Sequence, residues 1–132
     1  MDERRLGSIP LFAELSKGER REVARLADEL DIAEGTRLTK EGALSWEFFA
    51  IASGTADVVI DGRKVAELGP GDVIGEMGVL ADTPRNATVT ATSSMTIAVM
   101  TARDLRHIER TMPRVHDRLT AVVEERNVAL TG

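Results

Sequence analysis

The sequence predicts an α+β, mainly β domain: an antiparallel sandwich or barrel carried between helices. Three observations predict it. Helical spacing of apolar residues is confined to the two ends of the chain, around Val23 and Leu26 and again after Ala102. Between them the texture is alternating and β-branched, with glycine turns at short intervals, which is the pattern of an antiparallel β fold. Aspartate followed by glycine, Asp61-Gly62, stands between two such runs and is a strong local hairpin signal.

Taken in order, "SKGERREVARLADEL" places Val23, Leu26, Ala27 and Leu30 on one helical stripe, with Ser16 as N-cap, so a helix is expected to run to about residue 30. "DIAEGTRLTKEG" alternates and turns at Gly35 and Gly42. "EFFAIASGTADVVIDGRKVAEL" reads as strand, glycine turn, strand, Asp61-Gly62 hairpin and strand. "NATVTATSSMTIAVMT" gives two more β-rich runs hinged near Ser93 and Ser94. Thr101 can cap the short helix "ARDLRHIER", and Pro113 suits the first turn of the next one. In that last helix Val115, Leu119, Val122 and Arg126 share a stripe, flanked by Val123 and Leu130, apolar enough to need a partner surface. The expected organisation is one domain over 1–132: a helical piece 8–30, the β region 31–101 and C-terminal helices 102–130. At 132 residues the chain can bury a core without staples.

Composition removes several function classes. There is no cysteine, so disulfides and thiolate metal sites are excluded and a reducing, cytoplasmic setting is expected. The N-terminal "MDERRLGSIPLF" lacks the apolar core of a signal peptide, and no apolar run approaches the ~20 residues of a membrane span. Acids outnumber bases 22 to 17, a net charge of −5, and aromatics are scarce, so direct nucleic-acid binding is not expected. His107 and His116 stand without metal-ligand spacing, and the β region from Ile32 to Thr101 holds no histidine, which sets aside a small-barrel metalloenzyme. The arginines at 103, 106, 110, 114 and 118 read as a solvated helical face that could also meet a partner.

The stretch "GEMGVLADTPRNATV", residues 75–89, carries the chemistry. "EMGVLAD" can form a turn or two of helix whose first amides are unpaired, and such amides make an anion site. Gly75 and Gly78 let backbone approach a ligand closely. Pro84 stiffens the return, and Arg85 supplies the planar fork that matches a phosphate. Glu76 is then the odd residue, because a carboxylate about 4 Å from a phosphate is repelled by roughly 4 kcal/mol at an effective dielectric of 20. It is tolerable if it pairs with Arg85 or accepts a bond from a ligand hydroxyl. A compact ribose phosphate, held at both ends, satisfies these terms.

These residues resemble the phosphate-binding cassette of cyclic nucleotide-binding domains, found in protein kinase A regulatory subunits, cyclic-nucleotide-gated channels and the catabolite activator protein. The pattern stands here as Gly75-Glu76, Pro84-Arg85, Asn86 and Ala87-Thr88-Val89, and "IPLFAELS", Gly35, Glu41-Gly42, "FFAIASG" and "GPGD" fall where the family has them. The resemblance implies an eight-stranded, jelly-roll-like β-roll with an N-terminal helix and two C-terminal helices. It implies that Glu76 accepts the ribose 2′-hydroxyl, that Arg85 pairs with the cyclic phosphate, and that amides of Gly78, Val79 and Asn86 add donors within a cassette of Gly75, Glu76, Met77, Gly78, Val79, Arg85, Asn86 and Ala87. Val58, Val65, Ala66 and Ile74 match positions lining the sugar and base, and Arg126 with Asn127 lie on a helix expected to cover the base. Asn86 stands where Thr or Ser would favour cGMP, which leans toward cAMP. The function implied is a non-enzymatic sensor that binds cAMP or cGMP, needs no cofactor or metal, and moves its C-terminal helices against an effector or a second copy. The alternative is a ligand-free β-roll used for docking or dimerisation. The chain stops at the covering helix, with no helix-turn-helix following, so a free-standing protein and a piece of a longer one are both compatible with it.

Overall fold

The computed structural model describes residues 1–39, 47–74 and 87–121, apart from the side chains of Leu11 and Glu47. Three short helices open the chain: α1 (Glu3–Gly7), α2 (Pro10–Ala13) and α3 (Lys17–Leu26). Eight strands follow: β1 (Asp28–Ile32), β2 (Arg37–Thr39), β3 (Glu47–Ser53), β4 (Ala56–Ile60), β5 (Arg63–Leu68), β6 (Val73–Ile74), β7 (Thr88–Ala91) and β8 (Met95–Thr101). Helix α4 (Ala102–Thr111) and a helical run α5 over 113–121 close the described part.

The strands form two four-stranded antiparallel sheets, in the orders β1-β8-β3-β6 and β2-β7-β4-β5. The first sheet is buried on both faces, which explains the nearly unbroken apolar runs of β3 and β8. Strand alternation sends Phe48, Ala50, Val73, Ala98 and Met100 to a helical layer with Leu6, Ile9, Phe12, Val23, Leu105 and Ile108. Their neighbours Phe49, Ile51, Ile74, Ile97 and Val99 point the other way, into the roll, where they meet Ala56, Val58, Leu68, Ala87 and Val89 of the second sheet.

Local chemistry sets the element ends. Ser16 caps α3 in a reciprocal box with Glu19, and Thr101 caps α4 in the same way with Asp104. Pro113 opens α5, as expected, and Val115 and Leu119 of its apolar stripe are buried in the chain's own helical layer. Asp61 and Gly62 take φ of 51° and 77°, the paired positive values of a type I′ hairpin joining β4 to β5.

One expected boundary is corrected. Helix α3 ends at Leu26, because Ala27 is extended (φ −82°, ψ 136°) and Asp28–Ile32 pairs residue for residue with β8. Leu30 therefore lies opposite Ile97 in an edge strand, 43% exposed, instead of on a helical stripe. The helical piece also begins earlier than residue 8: Asp2 accepts from the amides of Arg4 and Arg5 and starts α1.

Candidate functional site

The cassette is flanked in sequence by β6 of the first sheet and β7 of the second. β6 ends at Ile74, paired with Phe49, and the chain re-enters at Ala87, just before β7. Ile74 and Ala87 are each 5% exposed and belong to the same cluster inside the roll. Gly75, Glu76, Met77, Gly78, Val79, Arg85 and Asn86 lie outside the described residues, as do Arg126 and Asn127. The frame that holds the ends of the cassette is thus what the structure gives.

That frame is apolar. Across the second sheet, Val58 pairs with Val89 on one side and Ala66 on the other, forming a row that faces the interior. Across the first, Phe49 pairs with Ile74 and Val99. Val58 is 2% exposed and Ala66 is partly buried, packed on the inner cluster. Val65 sits at an irregularity: Val58 pairs with Ala66 but Val59 with Lys64, so Val65 is the extra residue of a bulge. A bulge re-aims a side chain out of strict alternation, and Val65 is left 43% exposed beside Ala66. Of the residues that sequence reasoning singled out, Val58, Ile74 and Ala87 lie in the inner cluster and Ala66 packs against it, whereas Val65 is exposed at a bulge for which the sequence had no signal.

It also missed Thr39. This residue is 7% exposed and is the one buried polar side chain among the described residues. Its hydroxyl donates to the carbonyl of Ala87 at 3.0 Å, across 48 positions of sequence. Nothing in a lone threonine of a short strand announces such a partner.

Among the described residues, ion pairs tie the helices to one another, and Lys64 pairs with Asp57 and Glu67 on β4 and β5. Arg118 of α5 pairs with Glu14 at the end of α2, and this bond holds the Glu14 carboxyl below its usual range. His107 of α4 meets Glu22 of α3 at 3.3 Å, while Arg25, bonded to Glu22 at 2.5 Å, is the main cause of that carboxyl's lowered pKa. Arg103, Arg106, Arg110 and Arg114 are exposed, as expected of a wet face, whereas Arg118 is engaged. Among the described residues no group of three His, Cys, Asp or Glu side chains could hold a metal ion, and no helix is long and apolar enough to cross a membrane.

The β-roll thus brings Ile74 and Ala87, on either side of the Gly-Glu…Pro-Arg segment, to one apolar interior. Residues 29–111 match the family model described as cyclic nucleotide-binding domain, and the chain belongs to that family. A cAMP-dependent protein kinase regulatory subunit of Eremothecium gossypii is 39% identical over 99 residues, covering 72% of this chain and 21% of the relative. A cyclic nucleotide-gated potassium channel of Rhizobium etli is 26% identical over 121 residues, covering 92% of this chain and 34% of that protein. The catabolite activator protein of Thermus thermophilus superposes with a TM-score of 0.78 at 26% identity, covering 89% of this chain and 57% of that one. The chain therefore spans only a minor part of the two curated relatives. Its family is that of cyclic nucleotide-binding domains, so this domain is a binding module and not an enzyme.

Proposed function

We propose that the domain is a sensor that binds cAMP in preference to cGMP and answers through its C-terminal helices. The observation that carries this is the frame around residues 75–86: Ile74 and Ala87 are buried in one cluster at the apolar interior, and between them lies a complete Gly-Glu…Pro-Arg cassette. In this assignment Arg85 and the amides of Gly78, Val79 and Asn86 hold the cyclic phosphate. Glu76 accepts the ribose 2′-hydroxyl, with Gly75, Met77 and Ala87 completing the cassette's backbone. Val58, Val65, Ala66 and Ile74 offer the sugar and base an apolar wall. Arg126 and Asn127 belong to the segment that covers the base. The Eremothecium relative is named for its dependence on cAMP, which supports the same ligand here.

Regulation requires that the ligand bind one arrangement of the helices better than another, because only differential affinity shifts a population. Among the described residues, the polar contacts available for remaking include Arg118 to Glu14, which ties α5 to α2, and His107 to Glu22, which ties α4 to α3. The output is a catalytic or channel domain, or a second copy meeting the apolar stripe beyond Leu119, in the cytoplasm.

Calorimetric titration of nucleotide-free protein with cAMP and cGMP side by side tests this. Binding of cAMP is expected at micromolar concentrations or below, with cGMP weaker. Equal affinities would remove the preference drawn from Asn86, and no heat from either ligand, with folded protein, would leave the docking module in its place. Glu76→Gln refines the assignment. It is expected to weaken cAMP far more than 2′-deoxy-cAMP, since only the former offers the hydroxyl that a carboxylate accepts from strongly. Equal losses for the two ligands would remove Glu76 from the ribose.

A further inference from the structure

Thr39 stands where an apolar residue would be the simple choice: at the end of β2, facing the roll interior, 7% exposed. It arrives there through an irregularity. Arg37 pairs with Thr90 but Thr39 with Val89, so Leu38 is an extra residue in β2, and the bulge brings the Thr39 hydroxyl round to the Ala87 carbonyl at 3.0 Å. Ala87 is itself 5% exposed and precedes the first ladder residue of β7, Thr88. A carbonyl buried there needs a donor, and a hydroxyl among apolar side chains needs an acceptor. Each satisfies the other.

What lies next to this bond gives it a role. Ala87 follows directly on Arg85 and Asn86, the residues assigned to the phosphate. We infer that Thr39 is a positioning residue for the phosphate site: its hydroxyl fixes the backbone from which Arg85 and Asn86 extend. This rests on the sensor assignment proposed above. Without the bond the Ala87 carbonyl must seek another donor, the segment entering β7 samples more arrangements, and the fraction competent to bind falls. Apparent affinity falls with that fraction.

The test is titration of variants of this 132-residue chain with cAMP, alongside thermal unfolding. Thr39→Val, nearly isosteric, is expected to raise Kd about tenfold, as a tenfold drop in competent fraction would. Thr39→Ser, which keeps the hydroxyl, is expected to bind within about twofold of wild type. Val23→Ala, a core truncation in the helical layer, is expected to lower Tm and leave Kd unchanged, which separates positioning from stability. Thr39→Ala serves in place of valine if Thr39→Val does not fold. Wild-type affinity in the apolar variants, whatever their Tm, would make Thr39 a core threonine that merely satisfies itself and overturn the inference. Arg85→Ala in the same series tells the two failures apart. If it abolishes binding while Thr39→Val does not change it, only the positioning role is lost; if wild type itself binds no cyclic nucleotide, both fall.

Discussion

Arg85→Ala is expected to weaken cAMP binding by about 2–5 kcal/mol, roughly 30- to 5,000-fold, the loss typical of removing one member of a desolvated charge pair. The size follows from the frame. Ile74 and Ala87, which flank the cassette in sequence, are both buried in one apolar cluster, so on the proposed assignment the phosphate would be held beside a desolvated interior. Arg85→Lys should recover only part of the loss, because an ammonium keeps the charge but not the two-pronged fork that a phosphate accepts. Glu76 makes the pair non-additive. On the proposed assignment, removing Arg85 would leave the Glu76 carboxylate beside the phosphate without a counter-charge, so adding Glu76→Gln to Arg85→Ala should cost less than the two single losses summed. The measurement is calorimetric Kd for cAMP in the four variants. An Arg85→Ala protein that binds within a few-fold of wild type would remove the phosphate role.

Much of this fold could be read from short-range chemistry. Asp61-Gly62, the Ser16 and Thr101 caps and the Pro113 start are each decided within four residues of chain, and each is where it was expected. The cassette was legible for a related reason: glycines, a proline and an arginine in fixed order leave few other uses. What could not be read depends on distant partners. Leu30 fits a helical stripe, yet β1 pairs with β8, whose residues lie more than 60 positions away, and ladder bonds outweigh a weak helical preference. The bulges that leave Val65 open and turn Thr39 inward arise from how β5 meets β4 and β2 meets β7. Helix α1 has five residues, too few to show a period, and is set by the Asp2 cap. Sequence thus named Val58, Ala66 and Ile74, which the structure gathers inside the roll, while the bond that holds Ala87 became visible only with the strands paired.

Gly54→Ala is expected to cost about 2–5 kcal/mol of stability, combining left-handed strain of about 1–2 kcal/mol with overpacking of about 1–3 kcal/mol. Gly54 is where the chain leaves β3 in one sheet for β4 in the other, and it does so with φ of 91°. A Cβ there would come 2.4 Å from the Ser94 carbonyl oxygen and 2.8 Å from the Met95 Cα. Both atoms are backbone. Met95 is held opposite Ile32 in the β1–β8 ladder, and the adjoining turn is tied by Thr92 N to Thr55 O at 2.9 Å and Thr55 N to Ser93 Oγ at 3.0 Å. The neighbours therefore cannot withdraw as a flexible side chain would. Gly35 supplies the internal control, since its φ is 89° but nothing lies within 4 Å of a Cβ placed on it. Gly35→Ala should show the strain alone, about 1–2 kcal/mol, and Gly54→Ala the strain plus the clash. In thermal unfolding followed by circular dichroism, Gly54→Ala should lower Tm by on the order of 10 °C and Gly35→Ala by a few degrees. Equal shifts would mean that the 54–55 and 92–94 crossings yield to one another, and that the junction between the two sheets is softer than its hydrogen bonds imply.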